Sequence, residues 1–339
     1  MEKVNTTFEN HVLTVSISPH VKSPVTVEKI MWTVVGCLIP PLILSTCIYG
    51  IRVLVITLIS VISCVLTEAI SQKLLNREVT IRDGSAVITG ILLAYVIPPG
   101  VPYYLPVLGG IMAIFVTKQL FGGLGFNIFN PALIGRAFLM ATFPVAMTSA
   151  WITPKYLKYS ADTISSATPL FIVKHYGIEA LIQKYGSLGY IYKNFFLGLR
   201  PGCIGETSAL LILVAGLYLI YKGYIKWYIP VSMIGTIALL TWIFGGDHLF
   251  GGNALVAILS GGVMLGAFFM ATDYATSPNY KTGQLIYGAG IGALTVLIRL
   301  KGGYPEGVCY AILLMNGVTP ALDSWFKPKR FAPPKGMTK

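Results

Sequence analysis

Apolar runs long enough to cross about 30 Å of hydrocarbon recur near residues 30–49, 52–70, 84–98, 103–121, 130–147, 206–222, 226–244, 253–271, 281–299 and 304–320. Short polar, Gly-rich or Pro-rich connections separate most of them. The pattern predicts an all-α, polytopic integral membrane protein with about ten transmembrane helices. Two runs carry helix breakers: 84–98 ends in Pro98-Pro99-Gly100, and 304–320 opens with Pro305 and Glu306. Broken helices survive at membrane depth only where protein or a water-filled cavity shields the freed backbone groups, and such breaks mark binding sites in many transporters. The expected organisation is an N-terminal segment (1–29), a first helix bundle (30–147), a long connection (148–205), a second bundle (206–320) and a basic tail (321–339).

Composition supports this reading, with 55 % hydrophobic and only 11 % charged residues and a mean hydropathy of +0.72. The net charge of +12 would suggest nucleic acid in a soluble chain, but here it reads as topology. With the N-terminus inside, the cytoplasmic segments hold Lys73, Arg77, Arg82, Lys118, Lys222, Lys226, Lys281 and the basic tail, whereas the short outer loops hold Arg52, Arg299 and Lys301. Both termini are therefore expected in the cytoplasm of a bacterial or archaeal cell, and the 148–205 connection outside. An internal echo accompanies the pattern. Ser85-Ala86 recurs as Ser208-Ala209, Phe121-Gly122-Gly123 as Phe244-Gly245-Gly246, and Asn130 as Asn253, all at an offset of 123. These matches are three segments apart, so the two copies are expected to run in opposite directions, as in inverted-repeat transporters.

The five cysteines fall singly, without cluster or zinc spacing, so no metal site is expected and any redox work needs an organic cofactor. In the outer connection, Asp162-x-x-Ser165-Ser166-Ala167-Thr168-Pro169 presents a threonine among small neighbours in a turn. Its hydroxyl is a candidate for a phosphodiester link to flavin mononucleotide. Alone, the motif is equally an ordinary Ser/Thr-rich loop. In context it resembles the flavinylation motif D-x-x-[ST]-[GS]-A-T of membrane subunits of sodium-pumping NADH:quinone reductase and of the Rnf complex. Ser18-Pro19-His20, Asp83-Gly84-Ser85-Ala86, Gly125-x-Asn127-x-x-Asn130-Pro131-Ala132, Gly205-Glu206-Thr207-Ser208 and Thr272-Asp273-Tyr274-Ala275-Thr276-Ser277-Pro278 carry the same resemblance along nearly the whole chain, in family order. The short N-terminal segment favours the D-type subunit of Rnf over the B subunit of the quinone reductase.

The resemblance implies covalent FMN on Thr168 and a second, noncovalent flavin, riboflavin, toward the cytoplasmic side, where Asn127, Asn130, Asp273 and Thr276 are candidate contacts. Capping of a helix by Asn130 ahead of Pro131 explains that pair equally well. Glu68, Asp83 and Glu206 are candidate ion-path carboxylates, each close enough to a helix end for capping or snorkelling to be the simpler account. The implied activity is that of one subunit of an ion-translocating oxidoreductase, passing electrons while Na⁺ or H⁺ leaves the cell. The implied partners are the other Rnf subunits (A, B, C, E and G), a flavin transferase for maturation, and the lipid bilayer. A channel or secondary transporter, or a scaffold for a redox complex, would leave Thr168 unmodified.

Overall fold

The computed structural model describes residues 25–152, 168–198, 200–246, 248–304 and 306–328. Thr26 opens α1 (Val27–Tyr49), its hydroxyl accepting from the Lys29 N–H, and Gly50 at φ 88° turns the chain straight into α2 (Ile51–Leu74). Then come α3 (Ser85–Tyr95) and α4 (Tyr104–Ile111), which runs on as a π-helical stretch over Met112–Gln119. Next are α5 (Pro131–Thr142) and α6 (Pro144–Ser149), followed in the long connection by α7 (Pro169–Tyr185) and α8 (Leu188–Leu197). The second half holds α9 (Ala209–Tyr221), α10 (Tyr228–Phe244), α11 (Ala254–Leu259), α12 (Val263–Leu265), a π-helical Gly266–Met270, α13 (Lys281–Lys301) and α14 (Val308–Phe326).

Every apolar run in the sequence is helical, but the runs are not equally continuous. Among the described residues α1, α2 and α13 are long and apolar enough to cross a bilayer unaided, whereas α3, Tyr104–Gln119, α5, α9 and α10 are shorter apolar helices. The run 253–271 reads as one segment, yet it breaks at Ser260-Gly261-Gly262, where Gly261 sits at φ 68°. A Cβ there would lie 2.6 Å from Leu170 Cδ1 and 3.1 Å from an Arg299 nitrogen, so both conformation and space require glycine. The connection 148–205 also contributes two helices, which pack on α11 through Ile172, Leu181, Ile191, Phe195 and Val256. Lys118 and Arg299, placed in loops by the charge count, are instead buried, on the π-helical stretch and in the last turn of α13.

Opposite running of the two halves is visible in which helix ends meet. The end of the bundle at which α1 begins is termed proximal, the other distal. At the proximal end one cavity is lined by the start of α3 (Ser85, Ile88, Thr89), the residues leading into α5 (Asn130, Pro131) and the final turn before residue 120 (Lys118). Their counterparts reverse: α9 reaches that cavity with its last turn (Leu219), and α10 starts just beyond Tyr224 and Ile225 there. At the distal end a second cavity is lined by Thr241, Phe244, Gly245, Gly246 and Asn253, which correspond to positions 118, 121, 122, 123 and 130 at the proximal end. Local structure repeats as well. Asp83 and Glu206 each close a short 3₁₀ turn. Asn130 and Asn253 each cap a helix, accepting from Leu133 N at 3.3 Å and Val256 N at 3.0 Å.

Candidate functional site

Thr168 lies at the distal end with an extended backbone (φ −66°, ψ 151°) immediately before α7. Pro169 occupies the first helical position, where its missing N–H costs nothing, and Thr168 Oγ1 accepts from Phe171 N at 3.3 Å. The residue is 6 % exposed. One turn further on, Leu170, Val173 and Lys174 line the distal cavity, whose volume of about 320 Å³ falls within the range of small-molecule sites. The opposite wall is α10 and α11 with Val296, Arg299 and Leu300 of α13. Among its described lining residues the cavity has two cations, Lys174 and Arg299, and no carboxylate. The Lys174 ammonium donates to the Gly302 and Tyr304 carbonyls, and burial pulls its pKa below the usual lysine range.

Behind this cavity lies a buried charged cluster. Arg136 of α5 is ion-paired with Glu306. Arg200 donates to the Glu206 backbone carbonyl at 2.8 Å and to Gly261 O at 3.2 Å, while Arg299 donates to Ala257 O at 2.7 Å and Ser260 O at 3.1 Å. Two guanidinium groups therefore hold the carbonyls of the broken 260–262 turn, which relieves the helix break. One ligand atom from each of Cys203, Glu206 and Glu306 falls within 4.8 Å of the others.

The proximal cavity is smaller, about 100 Å³, and joins Asn127, Asn130 and Asp273 with Ser85, Lys118, Phe268, Phe269 and Tyr274. Both π-helical stretches border it, a feature common at functional sites. Asn127 Nδ2 donates to Phe129 O at 3.2 Å, Asn130 Nδ2 donates to Met270 O at 3.1 Å while its Oδ1 caps α5, and Thr276 Oγ1 donates to Asp273 Oδ2 at 3.3 Å. Thr276 itself stands behind Asp273 and is not among the lining residues. Beside the cavity Lys118 Nζ donates at 2.6 Å to both Glu68 Oε1 and Ser85 Oγ, and Ser85 Oγ donates to Asp83 Oδ1 at 2.8 Å. Glu68 and Asp83 thus belong to one buried network, whereas Glu206 lies in the distal cluster.

Of the residues singled out from sequence, Asp162, Ser165, Ser166 and Ala167 lie outside the described residues. Thr168 and Glu206 lie at the distal end, and Asn127, Asn130 and Asp273 come together proximally. Sequence reasoning missed the roles of Lys118, Arg136, Arg200, Arg299 and Glu306. The available signal was charge inside apolar runs, clearest for Arg136 in 130–147.

The sequence pattern of the NQR2, RnfD, RnfE family matches residues 14–332. The chain belongs to the NQR2, RnfD, RnfE family. A family relative in Clostridium ljungdahlii, named as the D component of a proton-translocating ferredoxin:NAD(+) oxidoreductase complex, is 49 % identical over 96 % of this chain and 97 % of its own length. Another in Acetobacterium woodii, named as the D component of a Na(+)-translocating ferredoxin:NAD(+) oxidoreductase complex, is 46 % identical over 96 % of each chain. An Escherichia coli relative, named as the D component of an ion-translocating oxidoreductase complex, is 35 % identical over 96 % of this chain and all of its own. Within the family this chain is therefore of the RnfD type.

Proposed function

We propose that this chain is the flavin-carrying D-type membrane subunit of an Rnf complex, in which electron flow between ferredoxin and NAD⁺ drives Na⁺ or H⁺ across a prokaryotic plasma membrane. The observation that carries the flavin part is the position of Thr168 at the start of α7, two residues before Leu170, which lines a cavity of ligand size with a basic lining. The residues fit a phosphorylated flavin. The cavity accepts an aromatic ring system between α7 and α10–α11, and Lys174 and Arg299 favour an anion. Attachment by a flavin transferase would form a bond between Thr168 Oγ and the flavin phosphorus of a flavin adenine dinucleotide. The hydroxyl proton is lost, the pyrophosphate bond breaks and adenosine monophosphate leaves, without electron transfer. Once bound, the flavin supplies the redox chemistry, and this chain supplies position, shielding and charge. The relatives' names favour Rnf over the quinone reductase, with the A, B, C, E and G subunits as partners.

Riboflavin is proposed for the proximal end, where the amides of Asn127 and Asn130 and the carboxylate of Asp273 can hydrogen-bond a flavin edge. At about 100 Å³ the cavity lies below the usual ligand range of roughly 300–1,000 Å³, so binding there requires the cavity to widen. On this reading the proximal end and both termini face the cytoplasm and Thr168 the outside. The deciding experiment is the intact mass of the subunit from its native complex, with flavin fluorescence in a denaturing gel. One FMN on wild type and on Thr168→Ser but none on Thr168→Ala is the expected result. An unmodified wild-type chain from cells that flavinylate other proteins would move the assignment to a transporter or scaffold.

A further inference from the structure

We propose that Arg299 is the positioning residue for the phosphodiester of a flavin esterified to Thr168, an inference that rests on the covalent-flavin reading. Three features converge on this side chain. The first is placement. Leu170, two residues beyond Thr168, and the Arg299 guanidinium meet over Gly261, so the start of α7 and the end of α13 share one contact point. The second is an unused donor. Arg299 is 8 % exposed, and its Nε has no hydrogen-bond partner among the described residues, although its two terminal nitrogens are engaged by Ala257 and Ser260. A buried guanidinium nitrogen without an acceptor is costly, and a phosphate oxygen entering the cavity supplies one.

The third feature is charge balance. The charges acting on Arg299 come from Glu306, Glu206 and Arg200, and Arg136 is paired with Glu306. Among the described residues Arg136, Arg200 and Arg299 therefore face only the carboxylates of Glu206 and Glu306, which leaves one positive charge uncompensated in a buried cluster. A phosphodiester carries a single negative charge and neutralises it. The same arithmetic argues against a cation at Cys203, Glu206 and Glu306, because a metal ion would deepen the surplus. The start of α7 adds to the attraction. The flavin phosphate would sit at a helix N-terminus, where the dipole favours an anion.

The test is a double-mutant cycle on the complex purified from its native membrane, with Arg299→Gln placed in the Thr168 and Thr168→Ala backgrounds. Intact mass reports attachment, quenching by iodide reports how exposed the flavin is, and the thermal midpoint reports stability. In the flavinylated protein Arg299→Gln should raise the undocked, iodide-accessible flavin about tenfold, the weight of one charge-assisted hydrogen bond, and lower the midpoint. Arg299→Lys should recover part of both. In the Thr168→Ala background Arg299→Gln should lower the midpoint less than in the flavinylated protein, because the loss of the bonds to Ala257 and Ser260 is common to both backgrounds while only the flavinylated one also loses the contact to the phosphodiester. Equal destabilisation in the two backgrounds, or unchanged quenching with FMN attached, would show that Arg299 only braces the 257–260 backbone. Should Arg299→Gln fail to assemble in either background, the cycle is run with Arg299→Lys and read by the same criteria. Absence of FMN from the wild-type mass would instead overturn the covalent-flavin reading, and this inference with it.

Discussion

Lys118 shows what one charged side chain costs and fixes in this bundle. Its ammonium is 2.6 Å from Glu68, with side-chain exposures of 2 % and 1 %, and it also donates to Ser85, which donates to Asp83. A buried pair of this kind is worth little against an apolar replacement of both partners, but removing one partner strands the other charge. Lys118→Met alone is therefore expected to destabilise the subunit by about 3–5 kcal/mol, while adding Glu68→Gln should restore most of the loss. Thermal unfolding of the purified complex checks both, and additive losses would contradict the pairing. Substituting Asn130 by Ala should cost about 1 kcal/mol for the lost helix cap and, on the riboflavin reading, release noncovalent flavin as well. The matching change at Asn253 should cost a similar amount of stability and leave noncovalent flavin in place.

Helix pairs are held by close backbone approach. A Cβ on Gly288 would come within 2.0 Å of Ser232 Oγ, and one on Gly292 within 2.8 Å of the Thr236 Cβ. Small residues four apart on α13 thus let it lie directly on α10, the arrangement that drives association where lipid supplies no hydrophobic force. Gly292→Leu is expected to push the two helices apart and prevent stable incorporation into the complex, measured as loss of the subunit from the co-purified assembly, whereas the exposed Leu297→Ala should be silent. Much of the element pattern was legible in the sequence, because apolar run length and Pro/Gly breakers act locally. The break at Ser260-Gly261-Gly262 was not, since it is held by Arg200 and Arg299 from distant segments. For the same reason Arg299 read as a loop charge: nothing near it in sequence shows that it points inward at two carbonyls.

The whole molecule places two cavities at opposite ends of an inverted repeat. α10 begins beside the proximal cavity and ends in the distal one, so its 17 residues set their separation at about 25 Å, from a rise of 1.5 Å per residue. The repeat was legible as sequence echoes at one offset. What it positions was not, because the equivalence of Lys118 and Thr241, or of Asn130 and Asn253, becomes a statement about sites only when the opposite helix ends are seen to converge. The cavities also differ in charge. The distal lining is basic, while the proximal one carries Asp273 and a Lys118 already paired with Glu68, so a phosphorylated ligand is favoured only at the distal end.

The covering of Thr168 has a consequence for the order of events in the life of the chain. On the covalent-flavin reading a transferase would have to bring the reacting phosphorus within bonding distance of Oγ, but in the folded subunit that residue is 6 % exposed and its oxygen accepts from the first turn of α7. Enzyme access on that reading would therefore require this end of the fold to be open. On the covalent-flavin reading, modification would belong to a window during biogenesis, before α7 and α8 settle against α11, and a subunit that folded unmodified would have to reopen that hairpin to be matured.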